Sequence, residues 1–141
     1  MKARSERGAA AVEFALMIPA LVLLFAVVVG GARVWFARTT LDNISGSAAR
    51  AASLARSASE AVHDANRVAR MQATTEGLRC EPLDLDVDVS GFRVPVGTPA
   101  AVTARVRCTV ELSDLIIPGW PGGLRLESES RSVLDRYRGR G

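Results

Sequence analysis

The chain has 141 residues, of which 48% are hydrophobic and 5% are aromatic, and its formal net charge is +3. This length suffices for one small domain with accessory segments. Beyond the N-terminus the basic residues are interspersed with acidic ones, and the sequence contains no nucleic-acid-binding motif. Composition and charge therefore argue against a DNA- or RNA-binding protein.

The N-terminus combines a short basic segment with a long apolar one. Residues 1–8 contain three basic residues and one acidic residue, and the 24 residues of Ala9–Ala32 contain a single charge, Glu13. About 20 helical residues cross the hydrocarbon core of a bilayer, so this stretch predicts one transmembrane helix. The positive-inside bias makes residues 1–8 a cytoplasmic leader. A cleaved secretory signal peptide is the alternative, but the apolar run is long for one and contains a carboxylate.

Glu13 is the most informative residue of this span. A carboxylate costs about 2.5–3.5 kcal/mol at the centre of a bilayer, and it usually has a partner there. Cleavage between Gly8 and Ala9 would place a new ammonium group one helical turn from Glu13, at a helix end that is itself partly positive. A neighbouring helix, staggered by one turn, would offer the same partner. Glu13 is then a register residue for helix assembly.

Pro19 interrupts the hydrogen bonding of the same helix. It predicts a kink over residues 15–17, because proline has no N–H to donate. Two interpretations stay open. The residue is an ordinary membrane proline, or it loosens the helix locally and helps a subunit leave the bilayer.

The opening of the chain resembles a known family. The run GAAAVEF, from Gly8 to Phe14, is similar to the processing site of type IV pilin precursors, where a prepilin peptidase cuts after the glycine and the glutamate guides assembly. With Phe14 after the glutamate and Pro19 in the apolar helix, residues 4–32 resemble the TadE-like branch of the tight-adherence (Flp) pilus system. The resemblance implies a minor pseudopilin, since the major Flp pilins are usually shorter and carry Glu-Tyr. Its implied partners are the membrane, other pilins or pseudopilins, a prepilin peptidase and the pilus assembly platform.

Residues 33–76 are predicted to continue as an amphipathic stalk helix. Apolar residues recur at alternating spacings of three and four, which predicts one uninterrupted helix with a single apolar stripe. Because an alanine-rich seam buries little area, we expect Ala51–Ala69 to pack on the chain's own sheet and Val34–Ile44 to contact neighbouring subunits. Trp35 and Phe36 are expected at the membrane edge, where aromatic residues are enriched.

Residues 77–141 predict an exported antiparallel β domain. Apolar and polar residues alternate over Leu83–Val89 and Val102–Leu112, and more weakly over Leu124–Leu134, with turns rich in glycine and proline between them. Three to four strands packed against the long helix give a pilin-like α+β fold.

Three acidic residues of the first strand, Asp84, Asp86 and Asp88, occupy alternate positions. Such residues project from one face of a strand about 6.8 Å apart, whereas a calcium loop needs a turn and a glycine at fixed offsets. The pattern favours a solvated face beside Arg105 and Arg107 over a metal site.

The two cysteines, Cys80 and Cys108, do not have the close spacing of zinc ligands. In an oxidising compartment they predict a disulfide between neighbouring strands, which would stabilise the fold by roughly 3–4 kcal/mol. Two buried free thiols are the alternative. On a regular strand Cys80 would share the face of the aspartates, whereas Cys108 shares the apolar face, so the pairing requires a bulge, for which Pro82 is the candidate.

No motif for catalysis or cofactor binding is found. The one histidine, His63, lies in a charged helical stretch, and no serine lies in a nucleophile elbow. We therefore expect no enzyme, cofactor, metal or small-molecule substrate. The sequence predicts a TadE-like minor pseudopilin of the cytoplasmic (inner) membrane or pilus, with its C-terminal domain outside, that takes part in assembly of a surface pilus or related secretion filament. The alternative is an unprocessed membrane anchor that presents a small envelope binding domain.

Overall fold

The computed structural model describes residues 3–80, 82–113, 119 and 122–137, with the backbone alone for residues 3–11. Its elements are α1 (Ala3–Leu54), α2 (Ala58–Thr75), β1 (Leu83–Asp88), a 3-10 helix (Ser90–Arg93), β2 (Ala101–Glu111) and β3 (Gly123–Val133). The strands form one antiparallel sheet in the order β1-β2-β3. α1 packs on β2 and β3, and α2 contacts β1. This arrangement confirms the prediction of a long N-terminal helix on a small antiparallel sheet.

The stalk region consists of two helices, so the prediction of one uninterrupted helix is wrong beyond Leu54. α2 begins after Ser57, whose hydroxyl accepts a hydrogen bond from the backbone N–H of Glu60. The Glu60 carboxylate in turn accepts the backbone N–H of Arg56 at 2.9 Å. A serine followed three residues later by a glutamate is a helix-start signal. The alternating apolar spacing continues across this turn and conceals it.

α2 runs back along α1. Arg33 and Ala37, where α1 enters the domain, line the same cleft as Gly77 and Leu78, which follow α2. The 18 residues of α2 extend about 27 Å, which matches the length of α1 from Leu54 back to Ala37. A continuous helix would leave the apolar stripe of α2 in water, whereas the reversal buries it. The buried residues of this stripe are Ala61, Ala65, Ala69 and Ala73.

The core lies between the two helices and the inner face of the sheet. Its largest fully buried side chains include Leu41 and Ile44 of α1 and Val102 and Val106 of β2. The expectation that Val34–Ile44 contacts neighbouring subunits is therefore wrong, since Leu41 and Ile44 are 1% and 0% exposed. The physical reason is the reversal of the chain, which brings α2 and the sheet together around this part of α1.

The α2 part of the stalk also packs differently from the expectation. We expected Ala51–Ala69 to lie on the sheet, but α2 makes most of its contacts with α1 and few with β1. Alanine side chains allow the backbones of two helices to approach closely, and this favours packing of α2 on α1 over packing on the sheet.

One side of the interface between α1 and β3 is polar. The Ser45 hydroxyl, which is fully buried, lies 3.0 Å from the Ser128 hydroxyl and 2.8 Å from the Ser130 hydroxyl. Ser128 donates a hydrogen bond to the Asp42 carboxylate at 2.6 Å. Buried hydroxyl groups must be paired, and these pairs form in only one alignment of α1 along β3.

The position of Cys80 differs from the prediction. β1 begins at Leu83, which pairs with Cys108 across the sheet, so Cys80 precedes the strand and does not follow its alternation. The prediction that both cysteines lie on strands is wrong for Cys80, and no bulge at Pro82 is needed. A disulfide joins Cys80 to Cys108, with Cα atoms 5.2 Å apart. It ties the segment after α2 to the interior of the sheet.

Candidate assembly site

The first half of α1 extends from the domain without any cover. Its best 18-residue window has a mean hydropathy of 2.7, and none of that window is buried. The large apolar side chains from Val12 to Val29 are between 43% and 73% exposed. A core helix of a soluble domain would be buried, so this segment is a candidate membrane span that requires lipid or other helices around it.

Glu13 and Phe14 lie on this uncovered part of the helix, and the Phe14 side chain is 69% exposed. The backbone of Gly8 and Ala9 is helical and belongs to α1. Residues 9 and 13 are therefore one turn apart on the same side of the helix. This geometry suits the proposed pairing between the amino group of residue 9 and the Glu13 carboxylate.

Pro19 lies inside α1, and the helix continues on both sides of it. Because proline has no backbone N–H, the carbonyl group of Ala15 lacks the partner that other residues of the helix have. The expected kink and its contribution to release from the bilayer stay predictions.

Most of α1, including both its exposed first half and its core segment, matches a known family. Residues 8–50 match the family model of the TadE-like protein. The chain is similar to the TadE-like family over these residues, which are less than half of its length. The TadE-like match includes Gly8, Glu13, Phe14 and Pro19. It ends at Arg50, near the end of α1, so α2 and the sheet lie outside it. No match to a curated protein or to a solved structure was found.

The outer face of the sheet carries ion pairs. Arg107 lies 3.4 Å from the Asp84 carboxylate on β1 and 3.3 Å from the Glu127 carboxylate on β3. The Arg105 side chain donates a hydrogen bond to Glu129 at 3.0 Å, and this bond raises the pKa of Arg105. The prediction of a solvated face, with the aspartates beside the two arginines, is confirmed.

Asp88 lies at the end of the same face. The backbone N–H of Ser90 donates to its carboxylate at 2.9 Å, and this hydrogen bond lowers the pKa of Asp88. Within residues 3–80, 82–113 and 122–137, no group of three or more His, Cys, Asp or Glu residues is arranged to hold a metal ion. His63 is 77% exposed and lies 3.6 Å from Asp64, as expected for a solvated helix face.

An open cleft of about 980 Å³ lies where α1 enters the domain. It is lined by the start of the core segment of α1, by the connection from α2 to β1 and by the end of β2. Sequence reasoning missed this cleft because the three segments are far apart in the chain. The chain reversal at Ser57 brings them together.

Proposed function

We propose that this chain is a TadE-like minor pseudopilin that takes part in assembly of a tight-adherence (Flp) pilus or a related secretion filament. The observation that carries the proposal is the stretch from Val12 to Val29, which is apolar, includes Glu13 and has no cover from its own domain. A bilayer covers such a helix before assembly, and neighbouring helices cover it in a filament. The TadE-like match over the same helix supports this role.

Processing after Gly8 by a prepilin peptidase is the first step of the proposal. Removal of residues 1–8 creates an ammonium group at Ala9, one helical turn from Glu13. In the membrane the two charges of one chain offset each other. During assembly the Glu13 carboxylate pairs with the amino terminus of an adjacent subunit, and this sets the stagger between helices.

The proposed topology places residues 1–8 in the cytoplasm, residues 9–32 in the membrane, and the stalk (33–76) and β domain (77–141) outside. The disulfide between Cys80 and Cys108 supports an oxidising compartment for the domain. The proposed partners are other pilins and pseudopilins through α1, a prepilin peptidase and the assembly platform. No catalytic function is proposed for the chain itself.

The test is N-terminal sequencing of the protein recovered from the membranes of its host. A mature chain that begins at Ala9 supports the pseudopilin. A chain that begins at Met1 overturns it in favour of an unprocessed anchor that presents a small envelope binding domain.

A pair of variants controls this test. Gly8→Val should keep residues 1–8, because the peptidase cuts after glycine. Gly31→Val is the matched control on the same helix, where an added Cβ meets nothing within 4 Å, and it should be processed normally. If Gly8→Val is shortened as well, the cleavage is not that of a prepilin peptidase.

A further inference from the structure

β1 forms an open edge of the sheet. Within the described residues it pairs with β2 on one side and with no strand on the other. Its inward side chains Leu83, Leu85 and Val87 are only half-buried. Those of the central strand, such as Val102 and Val106, are fully buried. An edge strand presents unpaired backbone N–H and C=O groups, so a further strand beside β1 would pair these groups and also cover apolar surface.

The outward side of β1 is acidic. Asp84, Asp86 and Asp88 alternate with apolar residues, so their carboxylates lie on the outer face about 6.8 Å apart. Asp84 and Asp86 each contact an arginine of β2, but both side chains stay 61% exposed. A strand that adds to this edge should therefore carry basic residues at alternate positions, because like charges directly opposite each other are unfavourable.

A segment with this pattern follows β3 in the same chain. Residues 137–141 read YRGRG, so the arginines at 138 and 140 alternate with Tyr137 and two glycines. Residues 138–141 lie outside the described part of the structure, and the Tyr137 side chain is 90% exposed. On a strand the two arginines would share one face and Tyr137 would lie on the other. The segment thus matches β1 on both faces.

The same segment cannot line the β1 edge of its own domain. The Gly97 N–H donates a hydrogen bond to the Arg136 carbonyl at 2.9 Å, which holds residue 136 beyond the end of β3. The outer side of β1 is three strand spacings from β3, or about 14 Å, and an extended chain needs about four residues to cross this distance. Residue 138 is only two residues from Arg136, so both arginines can reach this edge only on a neighbouring molecule.

The direction of β3 suits a contact between neighbours in one membrane. Ser45 of α1 contacts Ser130, and Ser53 contacts Ser132, so α1 and β3 run the same way. The segment after β3 therefore leaves the domain at the end far from the proposed span. β1 and β3 are both antiparallel to β2, so this segment would meet β1 of a similarly oriented copy as a parallel strand.

We propose that residues 137–141 of one copy add as a parallel strand to the open edge of β1 in a second copy. The arginines at 138 and 140 pair with Asp84 and Asp86, and Tyr137 covers the half-buried apolar row. A head-to-tail contact of this kind builds rings or open filaments rather than isolated dimers. The inference rests on the common orientation of copies in the proposed function, but not on cleavage after Gly8.

The other edge of the sheet does not fit the same segment. On the outer face of β3, Arg125 and Arg131 lie on either side of Glu127 and Glu129. A basic strand along β3 would therefore meet like charges at both ends of this row. Charge selects β1 as the edge that receives the segment.

The experiment measures, by fluorescence anisotropy, binding of a labelled peptide of residues 135–141 to the full chain in detergent micelles. Amide hydrogen exchange over Leu83–Asp88 should slow when the peptide binds, because strand addition protects backbone N–H groups. The matched control is the same peptide with residues 138 and 139 exchanged. It has the same charge without the alternation, and it should bind about fivefold more weakly or less.

Variants of the domain distinguish the two edges. Asp84→Asn with Asp86→Asn should weaken binding about three- to tenfold. Glu127→Gln with Glu129→Gln removes the same charge from β3 and should leave binding unchanged. If the aspartate variant misfolds, the two peptides still decide the result on the wild-type chain.

Four outcomes would overturn the proposal. They are no binding to the wild-type chain, equal binding of the two peptides, an equal loss in both charge variants, and slower exchange on β3 alone. The assay needs neither a membrane nor a filament, so its failure leaves the pseudopilin role untouched. A mature chain that begins at Met1 would overturn that role and leave this contact in place.

Discussion

The hydroxyl oxygens of Ser45 on α1 and Ser128 on β3 lie 3.0 Å apart, at a point where Ser45 is fully buried and Ser128 is 8% exposed. The residues are far apart in the sequence, and Asp42 also accepts a hydrogen bond from Ser128. An apolar interface tolerates small slips of a helix along a sheet, but a paired polar cluster does not, because a slip would leave buried hydroxyls without partners. This contact therefore fixes the alignment of α1 on β3.

Removal of either hydroxyl should destabilise the domain. We expect Ser45→Ala and Ser128→Ala each to lower the free energy of unfolding by about 1–3 kcal/mol. Because the two side chains are direct partners, the double variant should deviate from additivity by about 0.5 kcal/mol or more. Denaturant unfolding of the full chain in detergent measures all three values. Strictly additive losses would mean that the two hydroxyls act independently.

The turn between the helices depends on Ser57. Ser57→Ala removes the side chain that caps α2 and should cost about 1 kcal/mol. Met71→Ala, on the exposed side of the same helix, is the control and should change the free energy of unfolding by less than about 0.5 kcal/mol. Thermal unfolding monitored by helical circular dichroism compares the two. Equal effects would show that the cap does not stabilise α2.

Two glycines of the domain should respond in opposite directions to alanine. A Cβ on Gly91 would collide with the backbone carbonyl of Ala101 and press on the Leu134 side chain, so Gly91→Ala should destabilise by about 1–3 kcal/mol. A Cβ on Gly46 would meet only the Ser130 hydroxyl at 3.9 Å. Gly46→Ala should therefore stabilise α1, by up to about 1 kcal/mol. Denaturant unfolding of both variants measures the signs, and a destabilised Gly46→Ala would indicate that the helix needs its glycine there.

The disulfide closes a loop with a sequence separation of 28. Replacing Cys80 and Cys108 together by alanine should lower the free energy of unfolding by roughly 3–4 kcal/mol in the chain-entropy model. A reducing agent should destabilise the wild-type domain and leave the double variant unaffected. The mass of the unreduced, alkylated protein reports the bond directly, and two alkylated thiols would show that the native protein lacks it.

Glu13→Ala tests the register role. The variant should insert into the membrane as well as the wild type, because an apolar residue replaces a carboxylate. Its incorporation into filaments should fall by about tenfold or more, since a subunit terminus would lose its partner. The amounts in membrane and sheared-filament fractions measure the two steps separately. Met17→Ala, an exposed position one turn further on, is the control for a change of side-chain size. Normal incorporation of Glu13→Ala would remove the register role.

Most of the architecture was predictable because apolar residues recur at regular spacings in the helices and in the strands. The apolar run of α1 and the alternation in the three strands predict the elements. The ends of β2 and β3 differ from the prediction by one residue each, whereas β1 begins three residues after Cys80, which had been expected on the strand. The turn at Ser57 was not predicted, because spacings of three and four fit one helix as well as two that share an apolar face. The capping pair of Ser57 and Glu60 was the local signal for it.

The candidate site was only half predictable. Gly8, Glu13 and Pro19 lie within one short segment, so their spacing alone indicates their relationship. The cleft is lined by Ala37 of α1 and by Leu78 after α2, which come to the same place only because α2 turns back along α1. The position of Cys80 depends likewise on where β1 begins, and a strand end is set by tertiary packing that a local pattern does not contain.

α1 is a single continuous helix from Ala3 to Leu54. It contains both the segment proposed to cross the membrane and two residues at the centre of the core, Leu41 and Ile44. No flexible linker separates them. A mechanical pull on the lipid-embedded end would be transmitted along the helix directly into the sheet, through the serine contacts of β3. The domain and its helix would therefore move together during extraction from the membrane. Tension on the helix would act on the core before it acted on a loop.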